Sequence, residues 1–315
     1  MKKILLFTAA LVLVSVGLLS CNKNNSGNAE PAKEEAKLEE PEFANDAVTI
    51  EFTAPEETSE EDLIEIDGYK VAPKKLIFTE SGRYVFIGVV RGFTKADLGI
   101  GDIFTKTGEY TKESDGSYKM PGIGSVSTGS TPSGQGSTTQ TQATITDESG
   151  NETTYENTTV TDAAPASGEN EKNMVRSWVP EGKVHVEVPS KGISTNVEPS
   201  LEAIAKYLKE HEMNVDVNAY MGYDIADITM SLADKSFIVA FKNQNAYVGE
   251  WRWTNESKGE FAYNFNSDMA GELISGNASG SVNFYSVNNV NKCDFVMSVT
   301  AKDITGKLNF TLKEK

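Results

Sequence analysis

Residues 237–253 read FIVAFKNQNAYVGEWRW, and this stretch decides the fold of the C-terminal half of the chain. The first five residues are all apolar, and Tyr247, Trp251 and Trp253 then recur at alternating positions. Successive side chains of a β-strand point to opposite faces, so each run predicts a strand. The polar residues at 243–245 are typical of a tight turn. The stretch therefore predicts an antiparallel hairpin.

The same two-residue period continues on both sides of this hairpin. Alternating apolar residues predict further strands at 184–188, 228–232, 261–265, 282–284, 293–299 and 308–312. The total is about eight, the number at which an antiparallel sheet can close into a barrel without exposed edges. A barrel of this size either holds one small ligand or fills with its own side chains. One short helix is predicted after Pro199 and Ser200 by the apolar residues Leu201, Ile204, Ala205 and Leu208.

The region before the barrel is predicted to form a separate β-rich domain at 48–163, with the barrel domain at 170–315. Val48, Ile50 and Phe52 alternate with polar residues, and a turn at 80–82 joins two apolar runs into a hairpin. Residues 124–140 are almost wholly Gly, Ser, Thr and Gln, a composition that predicts a long loop or a disordered insertion. The fold class expected for the whole chain is therefore mainly β, with an N-terminal antiparallel domain followed by an eight-stranded antiparallel barrel.

The start of the chain has the layout of an exported protein. Lys2 and Lys3 precede an uncharged apolar run, which ends at Ser20 and Cys21. The run is shorter than the ~20 residues of a membrane-spanning helix, so a cleaved signal peptide at 1–20 is favoured over a retained membrane helix. The polar, acidic stretch from 21 to 47 is typical of a flexible tether.

Leu18-Leu19-Ser20-Cys21 resembles the lipobox of bacterial lipoproteins. The resemblance implies that the Cys21 thiol is acylated and that Cys21 becomes the first residue of the mature protein. Lipid on Cys21 would hold a soluble domain at a membrane surface.

The charge balance argues against anionic partners. The 315-residue chain has 29 basic and 46 acidic residues, and removal of Lys2 and Lys3 leaves a net charge of −19. Binding to nucleic acid draws mainly on Lys and Arg at phosphates, so no nucleic-acid partner is expected. Membrane attachment should come from lipid rather than from a basic patch.

No catalytic machinery is recognisable in the sequence. The two histidines, His185 and His211, fall on the polar side of a strand and at the end of the helix, and Cys293 falls on the apolar side of its strand. No nucleophile-elbow, zinc-protease or EF-hand motif occurs. A pair of carboxylates for glycoside hydrolysis would meet only in space, so sequence does not test that alternative. The expectation is a non-enzyme with no catalytic residue, no metal and no cofactor.

Tyr247, Trp251 and Trp253 are the candidate ligand-binding residues. They share one side of their strand, and such an aromatic stripe either stacks on a ring-bearing ligand or forms an ordinary core. The two interpretations have the same sequence pattern.

From about residue 173 to the C-terminus, the chain resembles the lipocalin-like lipoproteins of the Bacteroidota. The resemblance is carried by Trp178, by the helix around 201–208 and by the strand Tyr247-Val248-Gly249-Glu250-Trp251. It implies a calyx-like fold in an outer-membrane lipoprotein. In that phylum surface display often goes with acidic residues directly after the lipid cysteine, and residues 22–26 lack them, so a periplasm-facing protein is favoured, with the cell surface as the alternative. The expected function is binding of a small hydrophobic or ring-bearing ligand. The alternative is a non-enzymatic structural or protein-interaction module whose partner is an envelope protein.

Overall fold

A computed structural model describes residues 40–53, 57–93, 98–211, 215–265, 277–301 and 304–315. The structure is mainly β, and 56% of these described residues lie in strands and 13% in helices. Its described residues form two compact units, one built from 40–176 and 229–250 and the other from 177–228 and 251–315. Among these residues, no helix is both long and apolar enough to cross a membrane.

The first sheet is built from the N-terminal part of the chain. Its order is β5-β4-β3-β1-β10-β9-β8-β7-β6, and β2 pairs with β3. The end strands β5 and β6 are separated in the chain only by Tyr110, so the sheet curls until it is nearly closed. The bounds are β1 Val48–Glu51, β2 Ile64–Ile66, β3 Tyr69–Phe78, β4 Arg83–Phe93, β5 Ile103–Glu109, β6 Thr111–Lys112, β7 Tyr118–Met120, β8 Gly124–Thr128, β9 Thr138–Asp147 and β10 Glu152–Asp162.

The interior of this sheet is apolar and aromatic. Alternating residues such as Val48, Ile50, Leu76 and Phe78 are buried in one cluster. Phe78 stacks on Tyr118 with ring centroids 4.3 Å apart. The predicted hairpin around 80–82 is confirmed by the antiparallel pairing of β3 with β4.

The predicted loop at 124–140 is wrong at both ends. Residues 124–128 and 138–140 belong to β8 and β9, which leaves a connection at 129–137. The register places Val126 of β8 opposite Ile145 of β9, and both side chains are buried. One apolar residue is therefore enough to anchor β8 in the core. The outer face is held by threonine hydroxyl pairs, Thr138 with Thr161 and Thr144 with Thr154. The low apolar content did not indicate these strands, but β-branched threonine suits a half-exposed strand.

The second sheet contains the barrel. Its order is β11-β14-β15-β16-β17-β18-β19-β20-β12-β13, and an additional pairing of β11 with β20 closes eight strands into an antiparallel ring. The bounds are β11 Ser177–Pro180, β12 Val184–Val188, β13 Ile193–Val197, β14 Ile225–Met230, β15 Ser236–Phe241, β16 Ala246–Asn255, β17 Glu260–Phe265, β18 Asn277–Val287, β19 Val290–Ala301 and β20 Ile304–Glu314.

The eight-stranded barrel is confirmed, but one of its members differs from the expected set. The strand at 184–188 forms a hairpin with β13 and pairs with β20 outside the ring. The short strand β11 closes the ring instead, with Trp178 opposite Glu314. Four residues without clear alternation gave too weak a pattern to predict this strand.

Two α-helices accompany the strands, α1 at Glu169–Met174 and α2 at Leu201–Glu210. The second is the predicted short helix. The Ser200 hydroxyl caps it by accepting a hydrogen bond from the Ala203 N–H, and Leu201, Ile204, Ala205 and Leu208 are its buried residues. Short 3-10 helices lie at Glu60–Asp62, Pro189–Lys191, Val217–Tyr220, Ala233–Lys235 and Glu256–Lys258.

Candidate functional site

The inward face of the last four barrel strands is set by their register. Phe261 lies opposite Gly280, Gly280 opposite Met297, and Met297 opposite Leu308. Residues two positions apart along a strand share a face, so the next layers contain Val282, Phe295 and Phe310, then Phe284, Cys293 and Leu312. Apart from Phe284, which is half-buried, the side chains of these two layers are buried.

An aromatic cluster extends from this face to the end of β16. The Trp251 ring is buried, and its centroid lies 5.4 Å from that of Trp253, with the two planes perpendicular. The Trp253 ring in turn meets Phe261 edge to face at 6.3 Å. Phe261 is fully buried and lies 5.3 Å from Phe295 and 6.0 Å from Tyr263. Such edge-to-face arrangements present both ring faces and ring edges to a neighbouring group.

The indole N–H of Trp253 is a polar group of this cluster that lacks a hydrogen-bond acceptor among the described residues. The Trp253 side chain is only partly buried, but its Nε1 atom is enclosed and has no hydrogen-bond partner among the residues that the structure describes. A buried donor without an acceptor costs about 1–3 kcal/mol. The site therefore combines apolar ring surface with one free donor.

The structure brings two of the three predicted ligand-binding residues into contact. Trp251 and Trp253 form the pair described above. Tyr247 is half-buried and packs edge to face against Phe241, with ring centroids 5.1 Å apart. The intervening Glu250 and Arg252 are exposed, as the alternation of β16 requires. That these aromatic residues bind a ligand stays a prediction.

Phe261, Tyr263 and Phe295 are members of the cluster that sequence analysis did not single out. Their alternation predicted strands, but which strands would lie opposite each other, and therefore which rings would meet, was not encoded in any local pattern. The available signal was Gly280, because a glycine within a strand often marks the close approach of another group. An added Cβ there would lie 2.1 Å from the Phe261 ring.

Cys293 is another residue that sequence analysis considered for catalysis, and its environment suits a structural role. Cys293 is a free, fully buried thiol, and burial together with the nearby Asp294 carboxylate raises its pKa well above the ordinary value. A thiol that stays protonated is a poor nucleophile. The interpretation of Cys293 as a structural residue agrees with this geometry.

Both histidines lie on partly exposed or exposed surface. The His185 ring lies 2.8 Å from Asn196 Oδ1 through Nδ1 and 3.2 Å from Glu187 Oε1 through Nε2. His211 ends α2, where its Nδ1 lies 2.9 Å from the carbonyl oxygen of Tyr207. Within the described ranges, no group of three or more His, Cys, Asp or Glu residues is placed to hold a metal ion.

The predicted lipid-attachment residue, Cys21, lies outside the described residues, as do the predicted signal peptide and most of the predicted tether. The division into domains at 48–163 and 170–315 also stays a prediction.

Comparison with known proteins adds little to this description. No model of a known protein family matches the chain, and no curated protein does. A search of solved structures returns a candidate outer membrane protein of Bacteroides fragilis, with 9% identity, a TM-score of 0.22, and coverage of 90% of this chain and 97% of that chain. A likeness at this TM-score carries no functional argument, so the inferences below rest on this chain's own residues.

Proposed function

We propose that this protein is a lipid-anchored envelope protein that binds a small, ring-bearing apolar ligand in its C-terminal barrel and catalyses no reaction. The observation that carries the proposal is the Trp253 indole, which is partly open, adjoins an apolar aromatic cluster and has an enclosed N–H with no acceptor among the residues that the structure describes. Ligand sites are mostly apolar with a few polar groups that fix orientation, and this arrangement has both features.

The geometry also supports one class of ligand. Trp253 is the partly open ring, and the buried Trp251 and Phe261 lie behind it at nearly perpendicular angles, which favours a flat ring system that packs against the Trp253 indole. The free N–H favours a ligand that carries a hydrogen-bond acceptor, such as a carbonyl oxygen, next to that ring. Because the N–H is enclosed, the side chains around it must move apart before an acceptor reaches it, and an acceptor placed there would then remove the cost of the unpaired donor.

A matched pair of probes tests the proposal. 2-Acetylnaphthalene has a ring and a carbonyl acceptor, whereas 2-ethylnaphthalene has nearly the same shape without the acceptor. We expect quenching of tryptophan fluorescence to show that the full chain binds the acetyl compound more tightly, by about fivefold, because one net hydrogen bond contributes roughly 1 kcal/mol.

Trp253→Phe keeps the ring and removes the N–H, so it should abolish the preference for the acetyl compound while both compounds still bind. Trp178→Phe is the control, because Trp178 packs against Phe284 in another part of the barrel wall. It should keep the preference. Failure of both naphthalenes to bind, with no small molecule retained in native mass spectra of the purified protein, would contradict ligand binding and favour the protein-interaction alternative.

Anchoring is a separate part of the proposal and rests on residues 1–21 of the sequence. We expect radiolabelled palmitate to be incorporated into the expressed protein and to be lost in the Cys21→Ala variant. The control is Cys293→Ala, which should keep the label because Cys293 is buried within the fold. Label that persists after Cys21→Ala would refute lipidation at this residue. Protease protection in intact cells distinguishes a periplasm-facing protein from one on the cell surface.

A further inference from the structure

Glu80 is a carboxyl group with almost no access to solvent. It lies in the turn between β3 and β4, and its side chain is only 2% exposed. One oxygen, Oε1, accepts a hydrogen bond of 2.8 Å from the backbone N–H of Leu232. The other, Oε2, has no hydrogen-bond partner within the part of the chain that the structure describes. Both residues belong to the unit formed by 40–176 and 229–250.

The segment that Glu80 contacts is the turn at 231–235, which joins β14 to β15. Asp234 and Lys235 adopt left-handed backbone conformations there, with φ of 58° and 47°. Consecutive non-glycine residues rarely adopt this conformation, and they persist only where surrounding contacts hold them. The turn is therefore a strained element that depends on its anchors.

Three contacts made by charged side chains hold the turn. Glu80 holds the Leu232 amide, Lys75 forms an ion pair with Asp234, and Lys235 forms one of 2.7 Å with the buried Glu171. Glu171 also accepts hydrogen bonds from Ser167, and although burial acts to raise its pKa, Lys235 and Ser167 together lower that pKa below its ordinary value. Glu80 differs, because burial raises its pKa from 4.5 to about 7.

The charged and titratable groups around Glu80 do not cancel this effect. Loss of hydration on burial makes the largest contribution to the pKa of Glu80 and raises it. The Leu232 amide, the Ser231 hydroxyl and Lys235, which all lie in the turn, favour the ionised carboxylate and lower the pKa by less. Tyr110, whose hydroxyl donates to the Thr79 carbonyl oxygen, has its own pKa raised by burial and by Tyr118, Asp46 and Glu80, so it stays neutral. The hydrogen bonds and charges around the ionised Glu80 carboxylate therefore do not offset its loss of hydration.

We propose that Glu80 is a proton-controlled latch, which keeps the turn at 231–235 docked while its carboxyl group is neutral and releases the turn when the group ionises. The folded, docked state binds the proton more tightly than the released state. Docking is therefore fully favoured below about pH 4.5 and weakens as the pH rises towards 7.

Hydrogen exchange of the full chain tests the latch. If release restores an ordinary carboxyl group, protection of the amides at 232–235 should fall roughly 30-fold between pH 5 and 7, after correction for the intrinsic rate of each amide. Glu80→Gln cannot ionise, so its protection should be independent of pH in this range. Glu156→Gln removes an exposed carboxylate of β10 and should behave as the wild type does.

Two internal readouts keep the test decisive if Glu80→Gln does not fold. The amide of Thr107, which donates to the Gln244 carbonyl oxygen in the same unit, should keep its protection. The carboxyl carbon of Glu80 should titrate in the same pH range in wild-type nuclear magnetic resonance spectra. Protection at 232–235 that does not change with pH, or that falls equally in Glu80→Gln, or that falls together with Thr107, would overturn the latch.

Discussion

The cross-strand pair of Phe261 and Gly280 is the sharpest test of how the barrel interior is packed. The fully buried Phe261 ring lies over the backbone of Gly280, where a Cβ would come within 2.1, 2.5 and 2.7 Å of three ring carbons. Gly280 does not have a positive φ, so alanine is compatible with its backbone. Gly280→Ala therefore tests steric contact alone.

The expected magnitudes follow from this geometry. In Gly280→Ala the ring must move by more than 1 Å away from the new methyl group, inside a cluster that contains Trp253, Tyr263 and Phe295, which should cost about 3 kcal/mol. Phe261→Ala removes the ring and should cost about 4 kcal/mol. In the double variant the methyl group enters vacated space, so its cost disappears and the total should stay near 4 kcal/mol. The two substitutions should thus couple by about 3 kcal/mol.

Urea unfolding followed by tryptophan fluorescence measures these differences. Trp178, Trp251 and Trp253 all belong to the unit formed by 177–228 and 251–315, so the signal reports unfolding of the unit that contains the pair. Asn283→Ala is the control, because Asn283 is an exposed residue on the same strand as Gly280, and it should change stability by at most about 1 kcal/mol. A double variant that loses the sum of the two single costs would refute the packing argument.

Two further predictions concern buried polar chemistry. Cys293 should react with a thiol reagent only after unfolding, because it is buried and its pKa is raised; labelling of the native Cys21→Ala variant measures this, and rapid reaction would show that the thiol is accessible. Lys106, which is 5% exposed, places Nζ within 2.9–3.0 Å of both carboxylate oxygens of Asp67. Asp67→Ala leaves that ammonium group unpaired, so it should destabilise the protein in urea more than Lys106→Met does; the reverse order would contradict a paired, buried lysine.

The sequence predicted those parts of the fold that depend on local periodicity. The hairpin at 237–253, the helix at 201–208 and the number of barrel strands all follow from alternation or helical spacing, and the structure confirms them. The first unit showed the opposite case. Residues 124–140 lack the apolar content that usually indicates a strand, yet Val126 alone anchors β8 because Ile145 lies opposite.

What the sequence could not supply was the pairing of distant residues, and both proposals depend on such pairs. Glu80 and Leu232 are 152 residues apart, so no local pattern could indicate that this carboxyl group is buried against a strained turn. Phe261 could be assigned to a strand, but its contact with Trp253 depends on how two strands align in a closed sheet. Periodicity specifies which face of a strand is buried, whereas the register specifies which side chains meet there. Periodicity was enough to name the candidate binding residues. The indole N–H without an acceptor among the described residues and the buried carboxyl group became visible only with the tertiary contacts. The chemistry proposed here therefore lies in the tertiary contacts, and two variants test it most directly: Trp253→Phe keeps an aromatic ring but removes the N–H donor, and Glu80→Gln keeps the size of the side chain but cannot ionise.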